Sequence, residues 1–161
     1  SLGVSNEFIA PLMAQELAAR GRTALVFRGS DGLDELTTTG TSRIWQVCGG
    51  EVTEESLDPL QLGLARASVD DLVGGDAQHN AKVARIVLGS DPWDSSLTAV
   101  RDIVLLNAAG GVVAYRLAKD SSQASRDLTE RFGEALTLVR DALDSGAAAE
   151  KLSAWIIATQ S

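Results

Sequence analysis

A glycine-rich polar segment, residues 29–42, contains the residues whose types and spacing could bind a metal ion. It includes Asp31 and, a little further on, the adjacent carboxylates Asp34 and Glu35. Neighbouring side chains of a regular strand point to opposite faces, whereas in a loop bordered by glycines both carboxylates can turn toward one cation. Mg²⁺ is typically held by one or two carboxylates together with waters and substrate phosphates. The spacing leaves two interpretations open: a magnesium site at Asp34 and Glu35, or acidic residues that are simply solvated.

Outside this segment, the chemically capable side chains indicate structural roles. His79 is the only histidine, so this chain cannot form a histidine-based metal cluster, and its position near a helix start predicts a surface residue. Cys48 has no histidine beside it in sequence, and a small buried hydrophobe is its predicted role. Gly74-Gly75-Asp76 could bind an anion at a helix N-terminus, but the Asp76 carboxylate would compete, which favours a turn and cap. The scattered tryptophans indicate no base-stacking surface: Trp45, Trp93 and Trp155.

A predicted helix and a predicted strand come immediately before the acidic segment. Ser5 and Asn6 are good N-caps for the helix, whose apolar residues recur at helical spacing over residues 8–17. Gly21 ends it. Residues 23–27 are a continuous apolar run, typical of a strand covered on both faces, as in a parallel sheet. Ligands in open α/β sheets bind beyond the carboxyl ends of strands, so the acidic segment lies where a site is expected.

Downstream, the sequence predicts a β-hairpin and then helices. Residues 43–48 and 51–56 flank Gly49-Gly50, a pair that suits a two-residue hairpin turn. The helical segments follow: a short one begun by Ser68 and Asp71, then residues 76–89, about 98–118, 127–145, and a final helix containing Trp155. The helix over 98–118 is apolar almost all round, which is typical of a buried helix. The fold class is therefore α/β, with a β-hairpin and a helical C-terminal half.

Composition and charge exclude several classes of protein. The chain has 161 residues, of which 45% are hydrophobic and 22% charged, and these values exclude a disordered chain. Its net charge of −8 disfavours general binding to nucleic acid or to an anionic membrane. The longest uncharged stretch, residues 103–115, is too short for a membrane span, and no signal peptide is visible. A single cysteine cannot form an internal disulfide, so nothing indicates an oxidising compartment. We therefore expect a soluble cytoplasmic globular protein.

Several sequence blocks occur in an order that is characteristic of one enzyme family. The most specific is Gly29-Ser-Asp-Gly-Leu-Asp-Glu-Leu-Thr-Thr-Thr-Gly40. The others are residues 2–5, 11–14, 72–81, 100–109 and 145–148. In these blocks, which together extend over nearly the whole chain, the sequence resembles anthranilate phosphoribosyltransferase.

This resemblance implies a fold and a reaction. The family has a small helical domain, which supplies most of the dimer contacts, and a larger α/β domain of the nucleoside-phosphorylase type. Residues 1–161 would be a single segment, the C-terminal part of the larger domain. The full-length protein would transfer the phosphoribosyl group from phosphoribosyl pyrophosphate to anthranilate in tryptophan biosynthesis, giving N-(5-phosphoribosyl)anthranilate and diphosphate, as a cytoplasmic homodimer.

The resemblance also implies roles for the acidic pair. In the family, the matching pair binds two Mg²⁺ ions that accompany the pyrophosphate of the donor. Glu35 would serve both ions and Asp34 one of them. The role of both carboxylates would be electrostatic, through the metals, and no residue of this chain would act as a catalytic acid or base.

The chain departs from the family pattern in two respects. The family's glycine-rich donor-binding loop, its phosphate segment and its anthranilate-contacting arginine would all lie upstream of Ser1, together with the helical domain and the first strands of the sheet. We therefore expect the isolated chain to be inactive and the apolar faces of its strand to be partly uncovered. The residue before Gly29, commonly histidine in the family, is Arg28 here, which leaves the support of the acidic segment on that side open. The opening without methionine, in what reads as the end of a strand, predicts a fragment or processed chain.

Three alternatives remain. A pyrimidine nucleoside phosphorylase would share the fold, but the Asp-Gly-Leu-Asp-Glu sequence of residues 31–35 argues against it. A non-catalytic, nucleic-acid-binding relative would need a basic surface, which a net charge of −8 disfavours. The segment could also be a stable piece with no function of its own.

Overall fold

Four strands and five α-helices make up residues 1–160, the part of the chain that this computed structural model describes. The strands are β1 (Leu2–Gly3), β2 (Ala24–Gly29), β3 (Ser42–Cys48) and β4 (Glu51–Leu57). The helices are α1 (Ile9–Ala19), α2 (Ala77–Val87), α3 (Thr98–Lys119), α4 (Leu128–Asp144) and α5 (Ala147–Thr159). Short 3₁₀ turns occupy Pro59–Leu62, Asp70–Leu72, Ser95–Leu97 and Ser121–Ser125. The predicted α/β class, with a helical C-terminal half, is confirmed.

The strands form one sheet in the order β1-β2-β3-β4. β1 pairs with β2 in parallel, with Leu2 opposite Val26, so β1, α1 and β2 form a βαβ unit. The β2–β3 and β3–β4 pairs are antiparallel, so the sheet is mixed, whereas the apolar run suggested a parallel one. The predicted hairpin is confirmed: Cys48 lies opposite Glu51, and both turn glycines have positive φ, 61° at Gly49 and 83° at Gly50.

Both faces of β2 are covered, because its side chains alternate between two apolar clusters. Val26 packs with Trp45 in the cluster to which α1 contributes. Leu25 and Phe27 face the larger cluster, which is formed with α3 and α4. The expectation of partly uncovered strand faces is therefore wrong for β2. Exposed apolar side chains occur instead at α1, where Leu12 is 59% exposed.

The longest helix, α3, is buried on one face only. Leu106, Val113 and Leu117 contribute to the larger cluster, whereas Tyr115 is exposed. The predicted burial of this helix is therefore confirmed for the face that packs on the core and is wrong for the opposite face. The segment Ser95–Lys119 is long and apolar enough to cross a membrane by length and composition. The uncharged stretch at residues 103–115, taken alone, predicted that no segment is long enough. In this fold the helix packs against α4 and β2, and core helices commonly pass that composition test.

The predicted caps at Asn6 and Asp76 are confirmed, whereas no capping hydrogen bond of the Ser5 side chain is assigned within residues 1–160. The Asn6 side-chain oxygen accepts hydrogen bonds from the Phe8 and Ile9 amides at the start of α1. The Asp76 carboxylate accepts from the His79 amide at the start of α2, at 2.8 Å. Gly21 and Gly146 both have positive φ, which suits the glycine that ends a helix. These local signals fix where the elements begin and end.

Candidate functional site

The acidic segment leaves the carboxyl end of β2 as a turn closed by its own backbone. The Gly29 amide donates to the Leu33 carbonyl at 3.1 Å, and the Gly32 amide donates to the Gly29 carbonyl at 3.0 Å. Gly32 has a φ of 92°, a left-handed conformation that favours glycine. The next residues run inward, and Leu36 is fully buried. Backbone hydrogen bonds therefore close the turn, and the chain enters the core directly after it, at Leu36.

Asp31 points into this turn. One of its carboxylate oxygens accepts a hydrogen bond from the Leu33 amide at 3.1 Å, and the other accepts from the Thr37 and Thr39 hydroxyls at 2.5 and 2.8 Å. Burial by itself would raise the pKa of the Asp31 carboxyl, but these hydrogen bonds outweigh burial and lower the pKa below its ordinary value. Asp31 therefore organises the loop.

Replacing Asp31 by Asn is expected to lower the free energy of unfolding at pH 7, by an amount that shrinks as the pH falls below about 4. Because the folded-state pKa is lowered, the stabilisation is complete above the unfolded-state pKa and is lost as the pH falls through the folded-state value. Urea unfolding at pH 7 and at pH 3 measures the difference. The control is Asp70→Asn, at an exposed carboxylate, and a deficit of Asp31→Asn that stayed equal at both pH values would contradict the prediction.

Asp34 and Glu35 differ from Asp31 in their hydrogen bonding. Both residues are exposed, and over residues 1–160 neither side chain has an assigned hydrogen bond or ion pair, so all their oxygen atoms are free to bind a ligand. The described residues contain no group of three or more His, Cys, Asp or Glu that could hold a metal ion. The pair therefore does not form an all-protein metal cage. It fits a Mg²⁺ site that is completed by waters and substrate phosphates, which is the usual way Mg²⁺ is bound.

Asn107 of α3 anchors the inner end of the loop. Its side-chain oxygen accepts a hydrogen bond from the Leu36 amide at 3.0 Å, and its amide nitrogen donates to the Leu36 carbonyl at 2.8 Å. The same nitrogen donates to the Ile103 carbonyl, one helical turn earlier. Leu36 directly follows Glu35, so this contact holds the backbone beside the acidic pair. Sequence reasoning did not assign Asn107 a role, although an amide side chain in an otherwise apolar helix is a usable signal.

Strand β1 contacts the backbone of the acidic pair at Asp34. A Cβ atom built on Gly3 would lie 1.6 Å from the carbonyl oxygen of Asp34, so the two backbones are in direct contact. Only glycine permits so close an approach. The backbone at Asp34 is thus held by β1, while the adjoining Leu36 is held by α3.

Gly3→Ala is expected to reduce the free energy of unfolding by about 1–3 kcal/mol, because the Asp34 backbone and β1 must move apart. Gly111→Ala is the matched control: a Cβ there meets no atom within 4 Å, and the position is exposed within α3. Alanine should stabilise the helix there by about 0.5–1 kcal/mol. The two variants should therefore shift the urea midpoint in opposite directions, and a neutral Gly3→Ala would show that the contact is not tight.

The other sequence candidates lie on segments outside the acidic loop. His79 is exposed at the start of α2, as predicted, and lines a mostly apolar cavity of about 380 Å³ between α2 and α3. The Gly75 amide and the first-turn amide at His79 are bonded by Asn80 and Asp76, which supports the turn-and-cap interpretation over an anion site. Cys48 is half-buried against the larger core cluster, so it is less enclosed than predicted.

The fold and the site can be compared with known proteins. Residues 1–149 match the model of the glycosyl transferase family, a/b domain. The chain belongs to this family. Its curated relatives include proteins named anthranilate phosphoribosyltransferase from Leifsonia xyli, at 48% identity over 160 residues, and from an Arthrobacter species, at 49%. The alignments include 99% of this chain but only 44% and 43% of those relatives, so the chain spans less than half their length.

Solved structures with the same fold also bear that name. The anthranilate phosphoribosyltransferase of Thermus thermophilus superimposes with a TM-score of 0.75 at 28% identity, over 99% of this chain and 42% of that one. A Saccharomyces cerevisiae anthranilate phosphoribosyltransferase, solved in complex with PRPP and Mg, has a TM-score of 0.74 at 21% identity. At 21% identity, that likeness shows the fold alone. The resemblance to anthranilate phosphoribosyltransferase and the predicted α/β fold are both confirmed.

Proposed function

We propose that this chain is the C-terminal, metal-binding part of an anthranilate phosphoribosyltransferase. The observation that carries the proposal is the 45–49% identity, along 99% of the chain, to several relatives that all bear that name. The site is consistent with it, because the most specific sequence block forms a hydrogen-bonded loop in which two exposed carboxylates, Asp34 and Glu35, have no assigned partner within residues 1–160. The complete protein would transfer the phosphoribosyl group of phosphoribosyl pyrophosphate to the amine of anthranilate and release diphosphate.

In this proposal, Asp34 and Glu35 hold magnesium together with the diphosphate of the donor. Mg²⁺ bound there would supply positive charge that stabilises the diphosphate as it leaves. The chain's own contribution is to orient the two carboxylates: Gly3 contacts the Asp34 backbone, and Asn107 binds the backbone of Leu36. The binding of two ions, with Glu35 serving both, stays a prediction. The homodimer, the cytoplasmic location and the assignment of residues 1–161 to one segment of the larger domain also stay predictions.

The proposal is tested by following anthranilate fluorescence in the presence of phosphoribosyl pyrophosphate and Mg²⁺. The assay uses this chain within a protein of full family length, with the 161-residue chain alone beside it. We expect the full-length protein to consume anthranilate, to stop when EDTA removes the metal, and to resume when Mg²⁺ is restored. The chain alone should be inactive. No turnover by the full-length protein would contradict the proposal, and phosphate-dependent cleavage of pyrimidine nucleosides would identify the phosphorylase alternative.

A further inference from the structure

Arg28 joins the acidic turn to the beginning of α1. It is the penultimate residue of β2 and is half-buried. Its Nε donates a hydrogen bond to the Ser5 carbonyl at 2.7 Å, and its Nη1 donates to the Gly29 carbonyl at 3.2 Å. One guanidinium thus binds two carbonyl groups that belong to different segments of the chain.

Both carbonyl groups occupy positions that control the acidic turn. The Gly29 carbonyl also accepts the hydrogen bond from the Gly32 amide that closes the turn. Ser5 follows Val4, whose amide donates to the Phe27 carbonyl and so extends the β1–β2 ladder. Arg28 therefore ties the closing bond of the turn to the end of β1, the strand that contacts the Asp34 backbone.

A guanidinium suits this task better than most side chains. It stays charged at all physiological pH values, and its rigid fork donates in several directions at once. Hydrogen bonds with one charged partner are roughly twice as strong as those between neutral groups. These properties favour a role in holding backbone over a role in chemistry.

We infer that Arg28 is a positioning residue, whose guanidinium holds the turn that presents Asp34 and Glu35 to a divalent cation. The inference rests on the proposed function for the cation, whereas the tie between the two backbone segments stands on the geometry alone. Arg28 carries a positive charge on the strand that leads into the acidic loop. By Coulomb's law alone, removing that charge would strengthen the binding of a cation to the pair. Positioning predicts the opposite sign, so the two effects can be told apart.

The test compares Arg28→Met with Arg43→Met in the full chain. Arg43 lies directly opposite Arg28 in the β2–β3 register, but its guanidinium pairs with Glu54 at 2.7 Å and stacks on Trp45. Both substitutions remove one positive charge from neighbouring strands and leave a long apolar side chain. Amide hydrogen exchange over residues 29–36 reports the order of the turn without any metal. Titration with Mn²⁺, without and with inorganic diphosphate, is followed by its paramagnetic resonance signal, and the binding that Asp34→Asn/Glu35→Gln removes is the binding to the acidic pair.

For Arg28→Met we expect amide exchange in residues 29–36 to rise about tenfold or more, as the loss of charge-assisted hydrogen bonds implies. Mn²⁺ affinity should fall at least about threefold, because a turn that has become less ordered must be ordered again when the ion binds. Arg43→Met should leave both values unchanged. Arg28→Lys should recover part of the loss in both, since its ammonium can donate to one of the two carbonyls.

Exchange unchanged by Arg28→Met, or Mn²⁺ binding that becomes tighter, would overturn the inference. If Arg28→Met fails to fold, Arg28→Lys and Arg28→Gln keep the comparison possible, because both retain a hydrogen-bond donor. If the unsubstituted chain bound no Mn²⁺ at Asp34 and Glu35 even with diphosphate added, the proposed metal function would fail. The exchange measurement would then still decide whether Arg28 holds the turn.

Discussion

Replacing Asp34 by Asn together with Glu35 by Gln is expected to lower kcat for phosphoribosyl transfer by a factor on the order of 10³. Metal charge at a leaving group contributes several kcal/mol, and about 4 kcal/mol corresponds to a thousandfold. The substitutions keep the size of both side chains while removing the two charges that would hold magnesium. Steady-state anthranilate consumption in the full-length protein, with Mg²⁺ varied, measures the effect.

The folded structure should survive these substitutions, because both residues are exposed and neither side chain has an assigned hydrogen bond within residues 1–160. We expect the free energy of unfolding to change by no more than about 0.5 kcal/mol. Asp70→Asn/Glu51→Gln is the matched control: it removes the same two charges from exposed positions outside the loop. An acidic-pair variant that kept near-normal activity, with its usual dependence on Mg²⁺, would rule out the proposed metal site.

Replacing Asn107 by Ala is expected to reduce the free energy of unfolding by about 2–5 kcal/mol. The substitution removes both hydrogen bonds to the Leu36 backbone and leaves an N–H and a C=O without partners beside a buried residue. Each buried polar group that loses its partner costs about 1–3 kcal/mol. Urea unfolding at neutral pH measures the loss.

The structure contains a matched control for this prediction. Asn80 binds the Gly75 backbone in the same two-bond manner, accepting from its amide and donating to its carbonyl, each at 2.9 Å. Both groups are exposed there, so water can replace the lost side chain. Asn80→Ala should therefore cost about 1 kcal/mol or less. Equal losses from Asn80→Ala and Asn107→Ala would contradict the anchoring role of Asn107.

A second substitution at Asn107 separates hydrogen bonding from lost volume. Asn107→Asp has almost the same shape, but a carboxylate cannot donate to the Leu36 carbonyl and would instead face it with negative charge. We expect its destabilisation at neutral pH to be comparable with that of Asn107→Ala. A well-tolerated Asn107→Asp would show that packing, and not the donated hydrogen bond, holds the loop.

Much of the fold could be predicted from the sequence where the signal was local. The Gly49-Gly50 hairpin depends on a backbone conformation that glycine adopts easily, and the predicted strands match β3 and β4 within one residue. The Asp76 cap depends on a hydrogen bond that spans three residues. Errors appeared where neighbours in space decided the outcome: β2 pairs in parallel on one side and antiparallel on the other, and α3 is covered on only one face.

The candidate site shows the same division. The sequence by itself determined that a glycine-bordered loop with three carboxylates follows a buried strand, because chain order and backbone preference specify that much. The structure shows that Asp31 is bonded within the loop, by the Leu33 amide and the Thr37 and Thr39 hydroxyls, whereas Asp34 and Glu35 have no assigned partner within residues 1–160. What only the tertiary structure decided is how the loop is held against the rest of the fold. The position of the loop depends on contacts with Gly3 and with Asn107, the latter 71 residues away from Leu36. Such contacts form only when the apolar faces of the helices and sheet pack together, and no local preference encodes them.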